Sequence, residues 1–414
     1  MDGSLWTEQA EASGARSSGQ ARSGLTIEIL PSPSSIETEW RGLAAKAKVS
    51  IYQQFGWTNA WAATIAPAQH IIPSIMVLRL AGQIAAILPL GIERAGLLRI
   101  ARFPGGEHAN IRMPIVDHDC MDALVDSDAL GQRIVAAMQV LPERVDLIDL
   151  DALPLEWLGR PVPLANHPAA RPARLQVGSI ALGTDLAATL EPKRRSRKAK
   201  KHRAQLNALA PIGGYRFYRA PDALSAIALF ERFRAEKSEW FAKMGIGDSF
   251  AGPGVPEFFH ALIERRWQGD DALLDLYAVE FGGAVRAILG GGAASGRMSG
   301  YFLSVADDEW RRITPGELLL HDLVEACCAE GLSSLDLGRG DERYKTSWLT
   351  SEEKQVRLIL PVTAAGHAGL AALRLRHAAE RKLRDNPRLW QLAKRIRRIL
   401  GGHAPAAPEP EAAD

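Results

Sequence analysis

Apolar residues alternate with polar ones over 25–30, which predicts a strand, and recur at helical spacing over 35–47 and 55–65, which predicts two helices. Trp57 and Trp61 fall on one face of the second helix and read as core. The run 76–88 then has the form strand, glycine turn at Gly82, strand; 277–289 repeats it without a gap around Gly283. A second correspondence follows at a changed offset, where 146–150 matches 333–337. One match could be chance, but two in the same order predict two copies of one α/β unit, over 25–172 and 173–361. Only the second copy continues from its strand at 332–337 into a charged turn, Arg339-Gly-Asp-Glu-Arg-Tyr-Lys345. Chemistry is therefore expected in the second copy, at the carboxyl end of a buried strand where open α/β sheets form their ligand crevice.

The remaining segments have simpler patterns. Residues 1–24 are rich in Ser, Gly, Ala and Arg without periodicity and read as a disordered tail, as do the Ala, Pro and Glu-rich residues 403–414. Prolines dot 154–172, which reads as a linker. A helix is predicted over 186–209, and it holds Lys193, Arg194, Arg195, Arg197, Lys198, Lys200, Lys201 and Arg203. That density suits either a solvated face or an anionic ligand, but no interleaved aromatics offer stacking platforms for single-stranded nucleic acid. Gly290-Gly291-Gly292 reads as a strand bulge or close packing, since no helix start follows it. Past Pro361, Asp385-Asn386-Pro387 signals a helix start, and 385–400 is a basic amphipathic stretch suited to its own domain, a partner or an anionic membrane surface.

Composition narrows the class. At 414 residues the chain exceeds one compact core, and 47% apolar with 24% charged residues is ordinary for a folded soluble protein. A formal charge of +2 argues against a general polyanion binder and moves attention to local basic blocks. Cys120, Cys327 and Cys328 suit reduced thiols, no metal-ligand spacing is present, and no apolar run approaches the roughly 20 residues that span a bilayer. The chain thus reads as cytoplasmic, with no metal expected.

The order of several features resembles the CelD/BcsL-like acetyltransferase family of the GNAT superfamily, whose relatives include the Fem-type transferases. The resemblance rests on Phe55-Gly-Trp57 with Trp61, the basic helix, the Trp240 helix, the 276–289 hairpin, Tyr301 to Leu303, Thr314-Pro-Gly-Glu317, and Asp336 to Lys345 with Trp348. It implies an α/β fold of two tandem GNAT-like domains with mixed central sheets flanked by helices, the first degenerate and the second catalytic. It also implies acetyl-CoA as acyl donor and an amine or hydroxyl acceptor, a small molecule or glycan precursor linked to the envelope or exopolysaccharide. The donor's pyrophosphate is expected at the helix start formed by Arg312, Thr314, Pro315, Gly316 and Glu317, with Leu303 lining the donor site. Pro315 and Glu317 depart from the superfamily's glycine-rich pattern there. Backbone N–H groups on 299–305 would polarise the thioester, Tyr344 would protonate the thiolate, and Asp341 or Asp336 would take the amine proton. Arg339, Lys345 and Trp240 are the expected substrate-binding residues, and His321 is expected to be structural. Two other functions remain open on these residues. One is an aminoacyl-tRNA donor, which would give the basic helix a use and make tRNA the one nucleic-acid partner; the other is a non-catalytic module recruited to a membrane.

Overall fold

The computed structural model describes residues 24–269, 271–340 and 343–385. The first sheet runs in the order Leu25–Leu30, Ile72–Leu80, Gln83–Ala95, Leu98–Arg102, Leu147–Pro154, Gln355–Pro361 and Arg171–Pro172. The second runs Arg216–Arg219, Asp275–Phe281, Ala284–Ala294, Arg297–Val305, Ser334–Arg339, Val177–Ala181 and Ser351–Glu353. In both, one neighbouring pair is parallel: Leu98–Arg102 with Leu147–Pro154, and Arg297–Val305 with Ser334–Arg339. Each parallel pair is joined by a crossover helix, Ser127–Gln139 in the first unit and Pro315–Ala329 in the second.

The repeat extends to the hydrogen-bond register. Met76 pairs with Leu88 as Tyr277 pairs with Leu289, and each ladder shifts at the same place, between Leu78 and Arg79 and between Val279 and Glu280. Both hairpins turn through two positive-φ residues, Ala81 with Gly82 and Gly282 with Gly283. That conformation matches the right-handed twist of the strands, and it explains the glycines. Asp149 and Asp336 also occupy matching positions, each third in its parallel ladder.

Several boundaries differ from the periodicity reading. The helix expected over 55–65 is two, Phe55–Ala63 and Ile65–Ala68, because the chain breaks helical geometry at Thr64. The helix expected over 186–209 divides into Leu186–Thr189 and Pro192–Leu209, since Pro192 has no N–H to continue the first and starts the second. The proline-dotted 154–172 holds short strands, Glu156–Trp157 with Arg160–Pro161 and an edge strand at Arg171–Pro172. The final strand, Gln355–Pro361, crosses back to pair with Leu147–Pro154, so the segment 173–361 closes the first sheet as well as its own. The helix Ala364–Asp385 follows, earlier than the start signal at 385–387; the amphipathic stretch beyond it and the expected disordered tails 1–24, apart from Gly24, and 403–414 lie outside the described residues.

One apolar core runs through both units. Trp57 meets Phe258 edge-on at 5.0 Å, Tyr52 meets Tyr301 at 5.5 Å, and Phe230, Phe233 and Phe302 continue the cluster into the second unit. A second core fills the space between the other face of the second sheet and the helix Pro315–Ala329, through Leu318, Leu319, Leu323 and Val324. The contact between units is therefore fused rather than hinged, which fixes the geometry of anything built at the junction.

Candidate active site

The parallel ladder of the second unit is short. Arg297 pairs with Ser334, Met298 with Leu335 and Ser299 with Asp336, and there the ladder ends. Arg297–Val305 nevertheless stays paired on its other side as far as Val305, so the two parallel strands part beyond that point. In the same strand the register with Ala284–Ala294 shifts, Gly290 opposing Phe302 and Gly291 opposing Gly300, which leaves Tyr301 bulged. A bulge re-aims backbone groups and recurs beside active sites. The glycines opposite are needed for space: a Cβ on Gly290 would overlap the Phe302 ring, and one on Gly292 the Leu273 carbonyl.

Where the parallel strands part, side chains of the first unit reach in. Asn110 Nδ2 donates to the Gly300 carbonyl at 3.0 Å, to the Tyr52 hydroxyl at 2.8 Å and toward Asp336 Oδ1 at 3.4 Å. Asp336 is fully buried; its Oδ1 accepts the Gly338 N–H at 2.6 Å, and its Oδ2 lies 3.3 Å from Arg297, which is also paired with Glu353. Gly338 sits at φ 83°, a left-handed conformation that favours glycine, with Asn110 at ordinary contact distance from where a Cβ would be. Burial, followed by the charge of Asp336, holds the Tyr52 phenol well above its ordinary pKa, so it stays a neutral hydroxyl. Sequence reasoning missed Tyr52 and Asn110, because nothing local marks a residue that reaches across 190 positions to Gly300.

The helix start at 314–317 is built as a closed turn. Thr314 is left-handed at φ 54°, and Gln205 Nε2 donates to the Ile313 carbonyl at 2.7 Å and Thr314 Oγ1 at 2.9 Å. Glu317 accepts Lys198 Nζ at 2.8 Å and Trp348 Nε1 at 3.2 Å, while the ammonium lies 3.9 Å from the Trp348 ring centroid. Burial lowers the Lys198 pKa, and Glu317 opposes that shift. Lys198, Gln205 and Leu209 form the buried face of the basic helix, while Lys193, Arg195, Arg197, Lys200, Lys201 and Arg203 remain exposed. The turn thus lies beside a cationic surface, and its own carboxylate is already neutralised.

The other sequence-predicted residues fall as follows. Arg312 is exposed just before the turn, Pro315 is buried, and Gly316 packs against Val305. Leu303 pairs with Leu289 and joins the second core. Arg339 donates to Asp151 of the first unit at 3.0 Å, and Lys345, buried, donates to the Arg339 carbonyl at 3.0 Å. Trp240 is 41% exposed, edge-on to Phe241 with Lys237 Nζ 4.8 Å from its ring. Asp341 and the Tyr344 side chain lie outside the described residues. His321 is buried and stacks on His202 at 3.7 Å and 9°. With Asp322 these two histidines place donor atoms within 4.8 Å, but near-parallel rings direct their lone pairs side by side rather than toward one point. The pair reads as a clasp between helices.

A mixed sheet with one central parallel pair, built twice in one chain and carrying a bulge beside that pair in the second copy, is a tandem GNAT-like fold. Residues 193–346 match the model of the acetyltransferase (GNAT) domain. The crystal structure of FemX superposes with a TM-score of 0.51 at 11% identity, over 80% of this chain and 97% of that one. The C-terminal domain (DUF2156) of a putative lysylphosphatidylglycerol synthetase from Agrobacterium fabrum gives 0.49 at 12% identity, over 83% and 95%. A tandem GNAT protein from the clavulanic acid biosynthesis pathway gives 0.41 at 10%, over 82% and 99%. A comparison with curated protein sequences finds no match. No helix among the described residues is long and apolar enough to cross a membrane.

Proposed function

We propose that the second unit transfers an acyl group, acetyl from acetyl-CoA, to an amine of a small-molecule or glycan-precursor acceptor. The observation that carries this reading is the parted strand pair with its bulge at Tyr301, set beside the Thr314–Glu317 helix start. A thioester laid where the strands part would meet backbone donors from the bulged strand, which stabilise the developing oxyanion without reorganising. The donor's phosphates would lie toward the N-terminal end of Pro315–Ala329, where the dipole and the exposed cations of the basic helix both favour anions. Lys198 neutralises Glu317, which would otherwise repel them.

Asp336, fully buried and paired with Arg297, serves as the anchor of the strand junction, which leaves Asp341 as the carboxylate to accept the amine proton. Tyr344 is assigned to protonate the departing thiolate. Acetyl-CoA turnover against a panel of amine acceptors should fall about 100-fold or more in Tyr344→Phe and in Asp341→Asn. Full turnover in both would remove these two role assignments. The FemX likeness is one of fold, and the absence of stacking aromatics along the basic helix gives no separate support to a tRNA donor.

A further inference from the structure

A cavity of about 280 Å³ lies at the junction of the two units, lined by Trp61, Arg102, Gly105, His108 and Arg112 from the first and Ser249 from the second. Its floor holds an unusual group. Arg112 is 9% exposed, donates one Nη2 to the Gly106 carbonyl, and has no hydrogen-bond partner for Nε among the described residues. A buried guanidinium without a carboxylate is costly unless something else compensates it. Asp151 and Asp149 lie near enough to favour its charge, but neither is bonded to it and both are bonded to other guanidiniums. Arg102 is paired with Glu93 and Asp149, Arg357 with Asp149, and Arg339 with Asp151. Four guanidiniums, those of Arg102, Arg112, Arg339 and Arg357, thus face three carboxylates, Glu93, Asp149 and Asp151. One positive charge is left over, and it is the one on the cavity floor. Glu107, the remaining carboxylate on the lining, is exposed at the rim where water screens it.

We propose that this cavity holds an oxyanion, a phosphate or carboxylate carried by the acyl acceptor, on Arg112. The inference rests on the acyl-transfer reading and adds the acceptor's chemical class. Arg112 stands two residues after Asn110, which bonds the second unit where its parallel strands part, so one loop of the first unit links the two places across about 7 Å of backbone. An acceptor anchored by its anion on Arg112 would extend its amine toward the thioester. The volume suits a headgroup rather than a whole substrate.

The test uses the full-length protein, with inorganic phosphate and acetate as separate calorimetric titrants, each with and without saturating CoA. The expected result is saturable millimolar binding of at least one titrant, unaffected by CoA, and weakened at least 10-fold by Arg112→Gln. The variant Gly252→Leu adds bulk to the cavity lining at a position of ordinary φ, where an added Cβ meets only Val255 Cγ2 at 3.4 Å and the Ser249 carbonyl at 3.8 Å. It should have the same effect, and it decides the matter even if Arg112→Gln fails to fold. No binding of either anion to the wild type, unchanged binding in Gly252→Leu, or competition with CoA would each overturn the proposal. Anion binding by a protein that binds no CoA would retain the oxyanion site and reject the acyl-CoA reading, so the two failures are distinguishable.

His108, beside this cavity, adds a pH dependence. Burial lowers its pKa to about 4, outweighing a hydrogen bond with the Ser249 backbone, and its ring packs against Phe250 at 5.1 Å and Phe259 at 5.3 Å. Since the folded pKa lies below the unfolded value of 6.5, this contribution is fully present above pH 6.5 and is lost as pH falls toward 4. Denaturant unfolding should show a loss on the order of 3 kcal/mol over that window attributable to His108, and the slope should flatten by that amount in His108→Phe. An unaltered slope in the variant would mean that the imidazole does not sense burial at the junction.

Discussion

Replacing Asp336 by alanine should destabilise the protein by about 3–5 kcal/mol and abolish acyl transfer, because it leaves the Arg297 guanidinium buried with half its compensation gone. Arg297 is 7% exposed and Asp336 fully buried, so water cannot replace the lost partner. The carboxylate also holds the Gly338 N–H and faces Asn110, so its removal loosens the point where the parallel strands part. Asp336→Asn keeps an acceptor for Gly338 and should cost less, about 1–3 kcal/mol, while still lowering turnover. Urea unfolding of the two variants reads the difference directly. An alanine variant within 1 kcal/mol of wild type would show that the junction is held by apolar packing, with the ion pair incidental.

Lys198→Met should cost about 3–5 kcal/mol, the second large effect, since it strips the cation from a Glu317 that is only 15% exposed. Seven other lysines and arginines lie on that helix, yet Lys198 is the one buried, bonded to Glu317 and Ser347 and set over Trp348. Adding Glu317→Gln to Lys198→Met should recover much of the loss, because the double variant no longer buries a lone charge. Lys200→Met, on the exposed face, should change stability by less than about 0.5 kcal/mol. Equal costs for Lys198 and Lys200 would contradict the assignment of Lys198 as the link between the basic helix and the helix start.

What the sequence revealed was what repeats or alternates locally. The paired hairpins at 76–88 and 277–289 could be read from pattern, down to glycines that the structure places at positive φ, because hairpin geometry is written in adjacent residues. The matching strands that carry Asp149 and Asp336 were legible for the same reason. The return of Gln355–Pro361 to the first sheet was not, since strand partners far apart in sequence leave no periodic mark. Tyr52 and Asn110 were missed likewise; their role exists only once the two units are packed. A signal for Lys198 was present but unused. Lys198, Gln205 and Leu209 stand seven and four residues apart, which places them on one helical face, and that face is the buried one. Arg112 had no signal at all, because an unmatched charge is defined by the partners that the fold gives its neighbours.

The central claim is that the parted strands and the helix start together bind an acyl-CoA, and calorimetric titration of acetyl-CoA into wild type and Gly316→Asp tests it most directly. Aspartate at the first turn favours the helix dipole, so the variant should fold, while its charge opposes the donor's phosphates. Its Cβ meets Val305 Cγ2 at 3.0 Å, a contact that a small side-chain shift relieves. The account predicts saturable binding by wild type and affinity at least 10-fold weaker in the variant at unchanged stability. Absence of binding by folded wild type, or equal affinity in both proteins, would contradict it.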